Sequence, residues 1–159
     1  MLQQQPNSKP QNTAHTAYKH ASTNITKTRQ LVMAYDGILS MVLRARQAIQ
    51  ENKPEDRYNA IQRASVVIMS LQTALDHTNG GEIAKLLDNF YFSIDLRLMR
   101  QHTEQDIVKL DQIIHEIRLM REAWLDVDNQ MMAAKSKGTP EIAPTAPSAE
   151  TINSISVSA

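Results

Sequence analysis

The sequence predicts an all-α protein: an antiparallel up-down-up-down four-helix bundle with a short N-terminal helical segment and disordered tails. Apolar residues recur at spacings of three and four through four long segments, which is the period of an amphipathic helix. Strand-like alternation is scarce anywhere in the 159 residues. Short connections join the four segments, and such connections place successive helices antiparallel.

The first helix is predicted to begin near Thr28 and to end at Asn52-Lys53-Pro54, because the residue before a proline disfavours helical geometry. Met33 and Met41 lie on the side opposite its main seam, so its first half is apolar nearly all round. A helix of that kind is either central or covered by something else. The seam itself consists of Leu31, Tyr35, Ile38, Val42, Ala45 and Ile49.

Pro54 is predicted to start the second helix, since proline lacks the backbone donor that would be unsatisfied there. Asn79-Gly80 is predicted to stop this helix, because both residues tolerate the left-handed conformation, and Glu82 then suits the first turn of the third. The buried stripe of the second helix is Tyr58, Ile61, Ala64, Ile68, Leu71 and Leu75. The third helix carries Ile83, Leu87, Phe90, Ile94 and Leu98.

Thr103 followed by Asp106 resembles a capping box and is predicted to start the fourth helix, which runs to about Lys135. We therefore expect a bundle domain over residues 14–135. Residues 1–13 are rich in Gln, Asn and Pro, and residues 136–159 are rich in Ala, Pro, Ser and Thr. Both compositions predict disorder, because such segments bury too little apolar surface.

Several function classes are disfavoured by composition. Lys plus Arg and Asp plus Glu each count 17, so no basic excess indicates nucleic-acid binding. The chain has no cysteine for a disulfide or a thiolate site, and no apolar run approaches the ~20 residues of a membrane span. The N-terminus lacks the pattern of a signal peptide. We expect a cytoplasmic protein that does not insert into membranes.

Candidate chemical sites are also weak. No two of the five histidines lie three or four residues apart, and Asp111 with His115 supplies at most half of a metal site. Gly80-Gly81 lacks the further glycines and the lysine of a phosphate-binding loop. We therefore expect neither an enzyme nor a cofactor or metal.

Apolar recognition remains as the candidate function. The first helix has more apolar surface than one bundle seam requires, and bundle grooves commonly accept an amphipathic helix from a partner. The same surface, which includes Met33, Tyr35 and Met41, could instead be covered by the N-terminal segment or by a second copy of the chain. Periodicity does not separate these alternatives.

Three blocks of sequence in register resemble the FliS family of flagellar secretion chaperones. They are Leu31-Val32-Met33-Ala34-Tyr35-Asp36-Gly37, the stretch from Leu75-Asp76 through Gly80-Gly81-Glu82-Ile83-Ala84 to Leu87 and Tyr91, and Arg121-Glu122-Ala123-Trp124. The resemblance runs from about Tyr18 to Trp124. It implies a helical-bundle chaperone that binds the C-terminal region of flagellin in the cytoplasm, prevents premature polymerisation and supports type III secretion.

The resemblance also implies an interaction surface and a cover for it. Tyr18 and Ile25 would belong to an N-terminal segment that covers part of the groove. Contact with the export machinery is a further possibility, and the resting protein would be a monomer or a homodimer. The alternative is a self-associating structural or adaptor bundle with a homodimer interface. The candidate partner-binding residues are Leu31, Met33, Tyr35, Ile38, Met41 and Val42.

Overall fold

The fold is a helical bundle without strands in residues 26–136 and 146–156, which are the residues that the structure, a computed structural model, describes. The all-α bundle predicted from the sequence is confirmed. The predicted disordered segment 1–13 and the groove-covering residues Tyr18 and Ile25 lie outside the described residues. The helices are α1 (Lys27–Gln50), α2 (Pro54–Thr73), α3 (Gly81–Glu104), α4 (Ile107–Ser136) and a short α5 (Ala149–Ser156).

Polar contacts between helices show that neighbouring long helices are antiparallel. Between any two helices joined by such contacts, the residue numbers of the contacts rise along one helix and fall along the other. The helices follow one another around the bundle as α4, α1, α2 and α3, with α1 packed along both α2 and α4. The pairs are Asp36–Arg121 and Arg46–Asp111 between α1 and α4, Ser65–Asp95 and Gln72–Asp88 between α2 and α3, and Arg97–Glu116 and Glu104–Lys109 between α3 and α4.

All five helices contribute side chains to one apolar core. Fully buried examples are Ile38 from α1, Ile61 from α2, Leu98 from α3, Ile117 from α4 and Ile152 from α5. Each such side chain stabilises the fold by about 1.5–3 kcal/mol relative to leaving it exposed. The core is therefore continuous through the bundle and includes the short C-terminal helix.

The connection between α2 and α3 begins earlier than the sequence predicted. The helix ends at Thr73, so the prediction that Asn79-Gly80 stops it is wrong. The reason is Asp76, whose Oδ1 accepts hydrogen bonds from the backbone N–H groups of Thr78 and Asn79 at 3.0 and 2.9 Å. Such a side-chain turn competes with helical hydrogen bonding.

The two glycines of this connection have different roles. A Cβ at Gly80 would lie 2.6 Å from the Cβ of Ala84 and would also clash with the backbone oxygen of Asp76, so only glycine fits there. Gly81 has φ +53°, the left-handed conformation that glycine adopts without strain. Gly80 and Gly81 therefore allow the chain to make a tight turn at the start of α3.

The start of α4 is capped by Asp106, so the predicted Thr103 cap is wrong. Asp106 Oδ1 accepts hydrogen bonds from the backbone N–H groups of Val108 and Lys109 at 2.9 and 3.2 Å. Thr103 lies inside α3, where its hydroxyl donates to a backbone oxygen of the same helix. The chain reverses at Gln105, whose φ is +52°.

The predicted disorder of residues 136–159 is wrong for residues 149–156, which form a capped helix on the bundle. Ser148 Oγ accepts a hydrogen bond from the backbone N–H of Thr151 at 3.2 Å, and α5 follows. Ile152 and Ile155 lie three residues apart on one face and are buried. The polar composition predicted that the entropy cost of ordering this segment would keep it disordered. Burial of the two isoleucines against α3 and α4 offsets that cost.

Candidate functional site

The three sequence blocks that carry the family resemblance meet in one aromatic cluster inside the bundle. The hydroxyls of Tyr35 on α1 and Tyr91 on α3 are hydrogen-bonded at 2.7 Å, and their rings stack with centroids 6.4 Å apart. Trp124 on α4 is buried in the same core. Phe90 packs edge-on against Tyr91 at 5.7 Å. These residues therefore build the bundle and are not on its surface.

Burial keeps both tyrosine hydroxyls of this cluster protonated. It raises the pKa of Tyr35 well above its ordinary value of 10, and the neighbouring Tyr91 raises it further. Burial also raises the pKa of Tyr91 to about 12, although the hydrogen bond from Tyr35 opposes the shift. Both phenols are therefore neutral at physiological pH, and their hydrogen bond joins α1 to α3.

Two exposed ion pairs fasten α1 to α4 outside the core. Arg121 Nε lies 2.5 Å from Asp36 Oδ1, and Arg46 Nε lies 2.6 Å from Asp111 Oδ1. The hydrogen bond from Arg46 lowers the pKa of Asp111. Asp111 is thus held by an arginine, and the half metal site with His115 is not assembled. The described residues contain no group of three or more His, Asp or Glu side chains placed to hold a metal ion.

The N-terminal end of α1 is tied to the C-terminal half of α4 by a buried carboxylate. Asp128 Oδ1 accepts hydrogen bonds from the hydroxyls of Thr26 and Thr28, the latter at 2.7 Å. Burial alone would raise the pKa of Asp128, but these two hydrogen bonds and the charge of Arg29 outweigh it, so the pKa is lowered. Because Thr26 also caps α1, this contact fixes where the helix begins.

The candidate partner-binding residues on α1 fall into two groups. Tyr35, Ile38 and Val42 are core residues with at most 1% of their surface exposed, so a partner cannot contact them while the bundle is closed. Leu31 and Met41 are half-buried at the edge of the core. Only Met33, which is 55% exposed, faces solvent as expected of a contact residue.

A groove runs beside Met41 between α1 and α2. Its volume is about 530 Å³, and small residues such as Gly37, Ser40 and Ala60 line it together with charged residues that include Arg44 and Arg63. The mixture of small, polar and charged lining makes this groove less suited to an apolar helix than to a polar chain segment.

A strip of exposed apolar side chains along α2 and α3 was missed by the sequence reasoning. Tyr58 was placed in the buried stripe of the second helix, yet it is 54% exposed. Its ring lies beside that of His102 in a tilted arrangement, with centroids 5.1 Å apart. Val66, on the same helix, is also exposed. We call this surface the outer strip: Tyr58, Val66, Met69, Phe92 and Leu96.

The register of α2 against α3 places two residues of the outer strip at the same level of the two helices. The Ser65–Asp95 and Gln72–Asp88 hydrogen bonds join the two helices one turn above and one turn below the same level. Met69 on α2 and Phe92 on α3 lie at this level, and their side chains are 54% and 61% exposed. Helical spacing alone could not reveal the strip, because a broad apolar face can be buried or exposed at its margins.

The seam between α3 and α4, which we call the α3–α4 seam, differs from the other helix pairs. The two helices pack directly on each other only sparsely, and α5 lies against both. Arg97 crosses the seam with two hydrogen bonds to Glu116, at 2.9 and 2.5 Å, and the Glu116 side chain is 4% exposed. Here the bundle closes with an ion pair and a tail helix.

Comparison with known proteins finds relatives over most of the chain. None of the helices in the described ranges is long and apolar enough to cross a membrane. A flagellar secretion chaperone FliS of Campylobacter jejuni is 29% identical over 125 residues, which cover 78% of this chain and 98% of that protein. The FliS chaperone of Vibrio cholerae is 29% identical over 98 residues, which cover 62% of this chain and 71% of that protein. The FliS chaperone of Salmonella typhimurium is 22% identical over 125 residues, which cover 78% of this chain and 93% of that protein.

A family model gives the range of the match along the chain. The model described as "Flagellar protein FliS" matches residues 10–131, which include α1, α2, α3 and most of α4. The matched range contains all three blocks of the resemblance, and the structure brings Tyr35, Tyr91 and Trp124 of those blocks into one core. The chain belongs to the FliS family of flagellar proteins.

Proposed function

We propose that this chain is a cytoplasmic export chaperone that binds the C-terminal helical region of flagellin, prevents its premature polymerisation and supports type III flagellar secretion. Membership of the FliS family supports the proposal, and the relatives from Campylobacter, Vibrio and Salmonella are named flagellar secretion chaperones. The chaperone acts by stoichiometric binding, without a catalytic step.

The outer strip is the observation that favours binding of an apolar chain. Met69 on α2 and Phe92 on α3 lie at the same level of the two helices, Val66 and Leu96 lie about one turn away on the same helices, and all four are exposed. Exposed apolar residues grouped on a soluble protein typically mark an interaction site. Methionine suits such a surface, because its flexible, polarizable side chain adapts to different partners.

The α1 surface offers a second contact region. Met33 and Leu43 are exposed large apolar residues on this helix, and Leu31 and Met41 are half-buried beside it. A partner that folds on binding loses conformational freedom and therefore needs a large apolar surface to offset that loss. A flagellin segment that extends from the outer strip to α1 would bury both regions.

Complex formation with truncated flagellin tests the proposal. We expect full-length flagellin to co-elute with this chain in size-exclusion chromatography, and flagellin without its C-terminal helical region to elute separately. Co-elution that survives the truncation would contradict the proposal.

Matched surface substitutions test which region binds. Phe92→Asp should weaken flagellin binding about tenfold or more, since it places a charge in the apolar contact. Ser93→Asp introduces the same charge at the neighbouring exposed position and serves as the control. On α1, Met33→Asp is compared with Gln30→Asp in the same way. Equal affinities within both pairs, measured by titration calorimetry, would place the contact elsewhere.

The outer strip also fits the alternative function, a self-associating bundle. A homodimer would bury Met69 and Phe92 against their copies. Sedimentation of the isolated protein distinguishes the two functions, because the chaperone proposal is compatible with a monomer and the alternative is not. A monomer across the micromolar range would exclude the alternative.

A further inference from the structure

The tail helix α5 fills a place in the bundle that the long helices leave open. Elsewhere, neighbouring long helices pack along one another, whereas α3 and α4 do so only sparsely and both contact α5. Ile152 and Ile155 of α5 belong to the same apolar core as the long helices. The α3–α4 seam is therefore a groove that already accepts an amphipathic helix.

The docked state of α5 depends on tertiary contacts. The helix has eight residues, and isolated helices shorter than about 12–15 residues are marginal in water. The Ser148 hydroxyl pairs with Thr151 and the Ser156 hydroxyl donates to the Ile152 backbone oxygen, so these bonds stay within the segment. Ile152 and Ile155 are the large apolar side chains that α5 buries. A longer helix in the same groove could bury more.

The α3–α4 seam extends beyond the ion pair that crosses it. Arg97 and Glu116 mark one position of the seam, where the two helices are bridged. Further along the same helical faces, at three to four turns on α3 and two to three turns on α4, the positions are apolar and only partly buried. They are Ile83 and Leu86 on α3, and Ala123 and Val127 on α4.

We propose that the α3–α4 seam is a second binding groove for flagellin, and that α5 is its intramolecular occupant, displaced when a flagellin helix binds. The inference rests on the proposed function. The displacing helix carries aliphatic side chains three residues apart on an uncharged face, as Ile152 and Ile155 do in α5. Residues 137–145 link α4 to the segment that carries α5, so the tail stays near the groove after release.

Competition by a tethered tail lowers the apparent affinity for flagellin. The apparent dissociation constant equals the intrinsic one divided by the fraction of molecules whose groove is free. If α5 occupies the groove in nine molecules of ten, its removal tightens binding about tenfold. The tail then sets how readily the chaperone takes up and releases its cargo without any chemical step.

Titration of three full-length proteins with the C-terminal region of flagellin tests this inference. We expect the double variant Ile152→Ser/Ile155→Ser, in which α5 cannot dock, to bind about tenfold tighter than the unsubstituted protein. Asn153→Ser, on the exposed side of the same helix, should bind like the unsubstituted protein. Circular dichroism confirms that the long helices persist in each variant.

A measurement without substitutions accompanies the titration. In the unsubstituted protein, a peptide of residues 146–156 added in excess should weaken flagellin binding, because it competes with the flagellin helix for the α3–α4 seam. Equal affinities of the double variant and Asn153→Ser, or weaker binding by the double variant, would overturn the inference while leaving the proposed function intact. Failure of the unsubstituted protein to bind flagellin would overturn both.

Discussion

The α1–α4 pair and the α3–α4 seam show two ways of closing the same bundle. α1 and α4 pack along their lengths and are joined by Asp36–Arg121, Arg46–Asp111 and the hydrogen bonds of Asp128. The α3–α4 seam has sparse direct packing, one buried ion pair between Arg97 and Glu116, and the eight-residue α5. One side is closed by the long helices themselves and the other by a segment that can leave.

This difference separates the residues that build the bundle from those that can exchange partners. Tyr35 and Trp124 were diagnostic in the sequence because they form the fixed side and its aromatic centre. The exchangeable side depends on Ile152 and Ile155, which lie outside the matched family range of residues 10–131. The following substitutions are designed to break contacts of the fixed side and of the exchangeable side.

Tyr35→Ala should have the largest effect. Removal of a large buried aromatic side chain destabilises a core by about 3–5 kcal/mol, and it leaves the Tyr91 hydroxyl without its partner. Met33→Ala, two residues away and exposed, should change the free energy of unfolding by less than about 0.5 kcal/mol. Urea unfolding followed by circular dichroism compares them. Equal losses would show that Tyr35 is not part of the fixed core.

Arg97→Met should destabilise the protein by about 3 kcal/mol, because it leaves the carboxylate of Glu116 buried without its cation. The partial exposure of Arg97 places the loss at the low end of the usual range for buried pairs. The double variant Arg97→Met/Glu116→Leu should regain most of that stability, since no buried charge remains. A double variant as unstable as the single one in urea would show that the ion pair is not the source of the loss.

Ile152→Ala should destabilise the protein less than Ile117→Ala, although both isoleucines are fully buried. Removal of a core isoleucine costs about 2–5 kcal/mol, and Ile117 on α4 should show this. The loss at Ile152 cannot exceed the free energy with which α5 docks, because α5 can detach while α1 to α4 stay folded, and we expect less than about 2 kcal/mol. Similar losses in urea unfolding would contradict an exchangeable tail.

Asp128→Asn should have the smallest effect, about 1 kcal/mol at neutral pH, because two hydroxyl donors lose an ionised acceptor. The pKa of Asp128 lies below its ordinary value of 3.8 in the folded protein. Its stabilisation is therefore complete above about pH 4 and disappears as the pH falls through the folded-state pKa. The unfolding free energies of the two proteins should converge in acid. A difference that stays constant from pH 7 to pH 2 would contradict this assignment.

Most of the fold could be predicted from the sequence, because the apolar period extends through long segments with clear breaks. Pro54 marked the start of α2 correctly, since a proline at that position is decisive by itself. The end of α2 could not be placed, because Asp76 competes for backbone hydrogen bonds through a contact that periodicity does not contain. The cap of α4 was misplaced by three residues because Thr103 and Asp106 are both good cap residues.

The candidate site was harder to predict than the fold. Tyr35, Ile38 and Val42 share an apolar stripe with the exposed side of α1, and spacing does not show where the core stops. The Ala, Pro and Ser composition around α5 predicted disorder, so the helix was not predicted. Two signals were available: Ser148, three residues before Thr151, as a helix cap, and Ile152, three residues before Ile155, as an apolar face. Whether so short a helix docks depends on an open seam elsewhere in the chain.

Hydrogen exchange of the unsubstituted protein, with and without the C-terminal region of flagellin, tests whether α5 leaves the α3–α4 seam when flagellin binds. We expect flagellin to remove protection from the backbone amides of α5, around Ile152 and Ile155, while the amides of α1 to α4 stay protected or become more so. Protection of α5 that is unchanged or increased in the complex would contradict the displacement of the tail from the α3–α4 seam.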